Sequence, residues 1–362
     1  MTKIKIGKRF VGPDCPTYIL AEIGNNHNAD FDTAKALIKA AHGAGCDGVK
    51  FQTFKALDVV NPLIPANAYP GWDVSDRFDY WYQFVDSIAM PFEWYDELIA
   101  YTRDFGMDFI STPASMEALH FLAGKKIDAL KIASMDLNNI PFLKEADGFG
   151  LPVIMSTGMA TIEEIEESVA VFKKSPLVLL HCVSNYPLRP EDASLLNIHL
   201  LRDKFDHPIG FSNHSLGYDL DIVATAMGAC MIEKHFTLDR HQPAVAEHHI
   251  SMQPVEMKEL IDKVRLIERS LGSYERRMTP DELENRQLAR RSIRIHKDMK
   301  KGEKITSGDI VIIRPADGIA PKYLNEVIGK MLTRDVSAYE SFSFEDLRWK
   351  REPRSIRSRH IT

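Results

Sequence analysis

Short apolar runs in this chain end, one after another, in polar clusters whose side chains could do chemistry. Lys50 follows one run and Lys131 another. Two ammonium groups with Ser and Thr hydroxyls beside them could hold a phosphate or a carboxylate. Taken singly, each lysine reads as half of a structural ion pair; taken together they favour an anion site. His214 and His235 close the last two runs. Two imidazoles so placed could share a divalent ion whose other positions stay open to water or a substrate oxygen. The alternative is a pair of satisfied structural histidines. His248 and His249 fall in a loop and make poorer ligands. Glu22 and Glu247 put carboxylates at or near the rim, where a salt bridge to a loop lysine is the plainer reading. An anion pocket beside a two-histidine metal site suggests a phosphorylated substrate reacting with a carbonyl compound, which the metal would polarise.

The elements that must position these groups recur with one period. Apolar runs fall at 18–22, 48–52, 108–111, 129–132, 152–156, 177–182, 208–211 and 230–233, which makes eight. Between them, 32–44, 94–105 and 162–172 carry apolar residues every three or four positions, the spacing of a helix with one buried face. Thr161 followed by Glu163 and Glu164 reads as a helix start, a capping hydroxyl with acids in the first turn. Eight strand-helix units predict an α/β fold that closes as a (β/α)8 TIM barrel, in which the polar residues at the strand ends converge on one mouth. A doubly wound open sheet would instead carry a G-x-G-x-x-G turn after its first strand, and none occurs there. The long interval 52–108, with Pro62, Pro65, Pro70 and the aromatic stretch Tyr80, Trp81, Tyr82, is expected to be an elaborated loop over that mouth.

Composition is consistent with this reading. A chain of 362 residues suggests two domains, and 44% hydrophobic with 27% charged residues excludes disordered, collagen-like and disulfide-scaffold classes. The balance of 45 Lys+Arg against 51 Asp+Glu, a net charge of -6, argues against nucleic acid as the main partner. Cys15, Cys46, Cys182 and Cys230 form no C-x-x-C pair and fit reduced thiols. The first residues lack the apolar core of a signal peptide, and no apolar run approaches about 18 residues, so a cytoplasmic protein with no membrane partner is expected. The barrel is expected over 1–280, a charged linker over 281–291, a small β-rich domain over 292–350 and a basic, disordered tail over 351–362.

The strings AEIGNNHNAD, VKFQTF, KIAS, STGMA, LLHCVSNYPL, FSNHS and EKHFTLDR, in that order, resemble the sialic acid synthase family. RRSIRIHKDMKKGEKITSGDIVIIRPADGIAP resembles its appended antifreeze-like (SAF, β-clip) domain. The resemblance implies a C–C bond-forming transferase that condenses phosphoenolpyruvate with an N-acylated hexose and releases phosphate. N-acetylmannosamine, giving N-acetylneuraminate, is the default acceptor; di-N-acetylated 6-deoxyhexoses, giving legionaminate or pseudaminate, are the alternative. It further implies that His214 and His235 bind Mn²⁺ or Mg²⁺. Lys50, Lys131, Ser134 and Ser212 would hold phosphoenolpyruvate, helped by Thr112 and Ser184. Glu22, Gln52, Tyr186 and Glu247 would face the sugar, with Glu22 also orienting a water. The assembly implied is a homodimer with swapped SAF domains, Arg314 of the partner subunit reaching the sugar's N-acyl group. Two positions depart from the pattern, Asn213 and Glu247, where family members often carry Asp. A longer acid moves its carboxylate by about 1.5 Å, so these departures bear on the sugar more than on the reaction. Rival readings are a phosphoenolpyruvate-condensing barrel that uses a phosphorylated sugar such as arabinose 5-phosphate, and a non-catalytic sugar- or ice-binding protein.

Overall fold

The computed structural model describes residues 2–69, 73–242 and 247–349. A hairpin, β1 (Ile4–Ile6) and β2 (Arg9–Val11), leads into eight parallel strands: β3 (Tyr18–Gly24), β4 (Gly48–Thr53), β5 (Asp108–Pro113), β6 (Ala129–Ile132), β7 (Val153–Ser156), β8 (Leu177–Cys182), β9 (Ile209–Asn213) and β10 (Met231–His235). They pair in sequence order, and β10 returns to β3 to close the barrel. Several strands run one or two residues past the expected ends, so Thr112, Ser212 and His235 are strand residues rather than loop residues.

Helices α1 (Phe31–Ala44), α2 (Ala56–Val59), α3 (Trp81–Ser87), α4 (Tyr95–Asp104), α5 (Met116–Ala123), α6 (Ile140–Gly148), α7 (Ile162–Val169), α8 (Asn197–Lys204), α9 (Asp219–Ala226) and α10 (Pro254–Leu271) complete the first unit. Helix α1 shows why its sequence folds as it does. The Asp30 side chain accepts from the Thr33 amide at the start, Ala34, Leu37, Ile38 and Ala41 form the buried face, and Gly45 ends the helix at a φ of 96°. The predicted start of α7 is present: the Thr161 hydroxyl and the Glu164 carboxylate exchange hydrogen bonds with each other's backbone amides.

Alternation along each strand sorts its residues into two cores. Ile19, Ala21, Val49, Phe109, Leu130 and Ile232 face the helices. Tyr18, Leu20, Ile110, Ile154, Leu180 and Met231 fill the barrel's interior, joined by Ile4, Ile6 and Val11 of the hairpin, which packs on the amino-terminal end and closes it. Gly210 lies in this interior where a Cβ would come within 2.6 Å of the Met231 carbonyl and the Leu180 side chain. Hydrocarbon therefore fills the floor, and the inward positions one or two steps further along the strands are polar.

The chain divides into two compact units at Gly272 and Ser273, somewhat before the expected end of the barrel domain. The segment 281–291, expected to be a linker, belongs to a helix instead. Helix α11 (Pro280–Ala289) starts on Thr279, whose hydroxyl accepts from the Glu282 amide, with Pro280 and Asp281 in the first turn. Capping residues and Pro at the first position override the charge-rich look of the stretch. The second unit then forms β11 (Ser292–Ile295) paired with β12 (Ile310–Ile313), α12 (Leu324–Val327), and β13 (Met331–Leu332) paired with β14 (Leu347–Arg348). Ile293, Ile295, Ile305, Val327 and Phe342 make its core. The basic tail 351–362 lies outside the described residues. No helix among the described residues is long and apolar enough to cross a membrane.

Candidate active site

A cavity of about 550 Å³ opens at the carboxyl ends of the barrel strands. Glu22, Lys50, Gln52, Thr112, Lys131, Ser134, Ser184, Tyr186, Ser212, His214, His235 and Glu247 all line it. Every barrel residue that the resemblance places in the site thus lines one cavity, whereas Asn213, His248 and His249 do not. Arg314 is in the second unit, exposed just past β12.

The two lysines are buried, 5% exposed for Lys50 and 2% for Lys131, yet their surroundings differ. Lys50 Nζ is 3.0 Å from Glu22 Oε1 and 3.7 Å from Glu233 Oε1, and donates to Thr112 Oγ1 at 3.4 Å. Burial acts to lower its pKa, but Glu22 and Glu233 overcome that and raise it. Lys131 donates to Ser156 Oγ at 2.7 Å and to the Ile132 carbonyl at 3.0 Å, and makes no ion pair among the described residues. Burial lowers its pKa, offset only in part by Glu233. An ammonium that donates to one hydroxyl and one carbonyl, and feels Glu233 only beyond ion-pair distance, can receive an anion. Gly158 shapes the same wall: its amide donates to Ser134 Oγ at 3.0 Å, and a Cβ there would fall 2.4 Å from Ser184 Oγ.

Glu22 accepts from Gln52 at 3.1 Å as well as pairing with Lys50, while its Oε2 is buried without a hydrogen-bond partner. Burial raises the Glu22 pKa against the pull of Lys50. Glu233, to which the sequence assigns no role, proves central. It accepts from Ser212 at 3.0 Å, and although burial works against ionisation, Lys131 and Lys50 hold its pKa down at about 2. Period-two alternation could have found it, since 233 and 235 on one strand face the same side.

His214 and His235 sit with ring centroids 5.3 Å apart, near enough to share one ion. His214 Nδ1 is 3.0 Å from the Val183 carbonyl, which can only accept, so Nδ1 carries the proton and Nε2 keeps its lone pair. His235 Nδ1 faces Glu247 Oε2 at 2.9 Å, and although burial acts to lower its pKa, Glu247 overcomes that and raises it, so its Nε2 would have to give up a proton before it could ligate. Burial and the neighbouring His235 push His214 down to about 4, a neutral ligand at ordinary pH. No cluster of three or more His, Cys, Asp or Glu among the described residues is placed to hold a metal. The fit is therefore to a two-imidazole site completed by water or substrate. Glu247, expected to face the sugar, spends one oxygen on orienting His235; burial opposes its ionisation, but His235 holds it down at about 2. Tyr186 lies over His214 with ring centroids 4.1 Å apart. His248 is turned away, bonded to Thr237 and Asn28.

Asn213 proves to have a structural setting. Its side chain points to the helix layer, where Nδ2 donates to Asp221 Oδ2 at 2.9 Å and Oδ1 accepts from the Ser215 amide at 2.8 Å. Lys234 completes this buried cluster, 3.7 Å from Asp221. An Asp at 213 would exchange an amide donor for a second carboxylate against Asp221. Asn213→Asp is expected to cost about 1–3 kcal/mol of stability, read as a lower urea midpoint with the acceptor preference unchanged.

A closed parallel barrel whose strand ends gather Lys50, Lys131, His214 and His235 in one cavity belongs to the TIM-barrel class. The model of the NeuB family matches residues 37–276 and that of the SAF domain residues 290–355. The chain belongs to the NeuB family, and it is a carbohydrate-synthesising transferase with an SAF domain. It is 36% identical to the N,N'-diacetyllegionaminic acid synthase of Legionella pneumophila, over 93% of this chain and 96% of the relative. It is 31% identical to the pseudaminic acid synthase of Helicobacter pylori, over 92% and 98%. Among solved structures it resembles the N-acetylneuraminic acid synthetase of Leptospira borgpetersenii, crystallised with citrate, at 33% identity and a TM-score of 0.69 over 78% of this chain and 95% of the other.

Proposed function

We propose that the chain condenses phosphoenolpyruvate with an N-acylated hexose to give a nonulosonic acid and phosphate, N-acetylmannosamine and di-N-acetylated 6-deoxyhexoses being the acceptor candidates. The observation that supports the reading most is the juxtaposition, in one cavity, of Lys131, bonded to a hydroxyl and a carbonyl, with the paired imidazoles of His214 and His235. Lys50, Lys131, Ser134, Ser156, Ser212 and Thr112, with Ser184 at the edge, hold the phosphate and carboxylate of the enol. His214 and His235 are the residues to hold a divalent cation, Mn²⁺ or Mg²⁺, whose chemistry when bound is to polarise a carbonyl. Tyr186, Gln52 and Glu247 seat the sugar in its open-chain form.

In the reaction, C3 of the enol attacks the aldehyde carbon, forming the C–C bond while the aldehyde oxygen takes up a proton. Positive charge develops at C2. Glu22 orients a water that adds there and accepts its proton, a role suited to a carboxylate with one unpartnered oxygen. The resulting centre collapses to the ketone as phosphate leaves by C–O cleavage.

The test is phosphoenolpyruvate and Mn²⁺ with a panel of acceptors, followed by phosphate release and mass spectrometry. A product heavier by the pyruvyl unit is expected. Folded, metal-loaded protein that releases no phosphate with any hexosamine would favour a binding protein, and a product from arabinose 5-phosphate would favour the rival condensation.

We also propose a swapped homodimer in which Arg314 of the partner subunit reads the N-acyl group, since a planar guanidinium suits acyl recognition. Arg314→Ala is expected to raise the acceptor KM tenfold or more, about 1.5–3 kcal/mol of lost hydrogen bonding to a charged donor, with the phosphoenolpyruvate KM unchanged. Equal weakening of both substrates would remove Arg314 from the site.

A further inference from the structure

The two imidazoles stand on adjacent strands, yet the pairing of those strands stops short of them. Between β9 and β10 the register runs Phe211 to Ile232, Ser212 to Glu233 and Asn213 to Lys234, and ends there. His235 is still held by the barrel on its other edge, in register with Glu22 of β3, and its carbonyl accepts from the Met252 amide at 2.8 Å. His214 has left the ladder. From the side of β8, the Leu188 amide donates to its carbonyl at 3.0 Å and the Val183 carbonyl takes its ring proton. Its distance from His235 is set elsewhere, behind the strands.

Asn213 and Lys234, each the residue before one of the histidines, face away from the cavity and meet Asp221 of α9. All three are buried, at 1% exposed or less. Ser215, the residue after His214, is held there by both of its backbone groups. Its amide donates to Asn213 Oδ1 at 2.8 Å, and its carbonyl accepts from Lys234 Nζ at 2.6 Å. Lys234 Nζ is also 3.7 Å from Asp221 Oδ2, the oxygen that accepts from Asn213 at 2.9 Å. His214 is thus bracketed by two residues tied to one buried ion pair, and the cation of that pair precedes His235 in the chain.

A buried pair of opposite charges is a poor source of stability, because desolvating both ions offsets most of their attraction; its best-attested use is to fix a register. The register at stake here is that of segment 213–215 against the end of β10. Resting on the condensation reading above, we propose that Lys234, anchored by Asp221, is a positioning residue for the cation-binding pair: through the Ser215 carbonyl it sets where His214 lies relative to His235. Lys234 does not line the cavity. It acts on the ligand pair from outside, as the outer partners of metal ligands do, where a loss typically costs roughly 10- to 100-fold in metal affinity.

The experiment measures Mn²⁺ binding by the full chain, from the paramagnetic resonance of the free ion, together with the melting temperature. Lys234→Met with Asp221→Asn removes the ion pair without leaving a lone buried charge, keeps the bulk of both side chains and leaves Asn213 an acceptor. The double variant is expected to melt near the parent and to bind Mn²⁺ roughly tenfold or more weakly. Its affinity for phosphoenolpyruvate is expected to be unmoved, since the cradle keeps its lysines, and its lost turnover to be recovered as Mn²⁺ is raised. Asp221→Asn alone, the milder change, is expected to act in the same direction and less. Val178→Ala, in the hydrocarbon floor, controls for lost stability and is expected to bind Mn²⁺ as the parent does. Unchanged Mn²⁺ affinity in every cluster variant that folds, beside a parent that releases phosphate, overturns the proposal alone, as does an equal loss in Val178→Ala. Parent protein that binds Mn²⁺ yet releases no phosphate with any acceptor overturns the condensation reading and the proposal that rests on it.

Discussion

His214→Ala is expected to lower kcat by roughly 10²- to 10³-fold, the loss that follows when one preorganised group that stabilises a developing oxyanion is removed. His214 is the imidazole whose Nδ1 proton is fixed by the Val183 carbonyl, so its Nε2 is oriented before any ligand arrives. Removing it takes away half of the ligand pair and leaves the lysine cradle intact. Phosphoenolpyruvate binding, followed by calorimetry, is therefore expected to persist while bound metal, followed by elemental analysis, falls. Metal-stripped His214→Ala protein that retains full activity would end the metal assignment.

Lys131→Met is expected to have the opposite signature. Methionine keeps the aliphatic bulk beside Ile132 and Ser156, so the packing of the barrel is largely preserved. What is lost is the ammonium that donates to the Ser156 hydroxyl and the Ile132 carbonyl and feels Glu233 beyond ion-pair distance. A charge-assisted contact of that kind is worth about 3 kcal/mol when truncated, so affinity for phosphoenolpyruvate should fall by roughly a hundredfold. Metal binding at the imidazoles should survive. The two variants together separate the cradle from the ligand pair, and a Lys131→Met protein that binds phosphoenolpyruvate normally would remove Lys131 from the cradle.

The barrel was legible because its signals are periodic and local. Runs such as 129–132 and 177–182 are almost wholly apolar, as strands covered on both faces must be, and the caps at Asp30 and Thr161 announce their helices. The polar mouth was legible because lysines and histidines ending successive strands have only one place to meet. Three features resisted. Helix α11 hides in a charged stretch because its face buries nothing, so no apolar period marks it. Glu233 was overshadowed by its neighbour His235, although alternation puts the two on the same side and Lys234 on the other, against Asp221. The apolar side of the cavity could not be read at all, since Val60 and Val85, which both line it, are distant in sequence, and Val85 is placed by a small tertiary cluster. Asn213 illustrates the converse: a residue conspicuous by its position in a motif points away from the cavity, and only its partner Asp221 explains its type.

The hairpin of β1 and β2 has one more effect. By filling the amino-terminal end with hydrocarbon it closes the floor, so among the described residues the lysines face the carboxyl-terminal mouth, where the proposed acceptor would enter. An acceptor that settles there becomes its own cork. On the proposed condensation, the water that adds at C2 would then have to be in place before the acceptor docks, and the acceptor would do the drying that other enzymes assign to a moving flap.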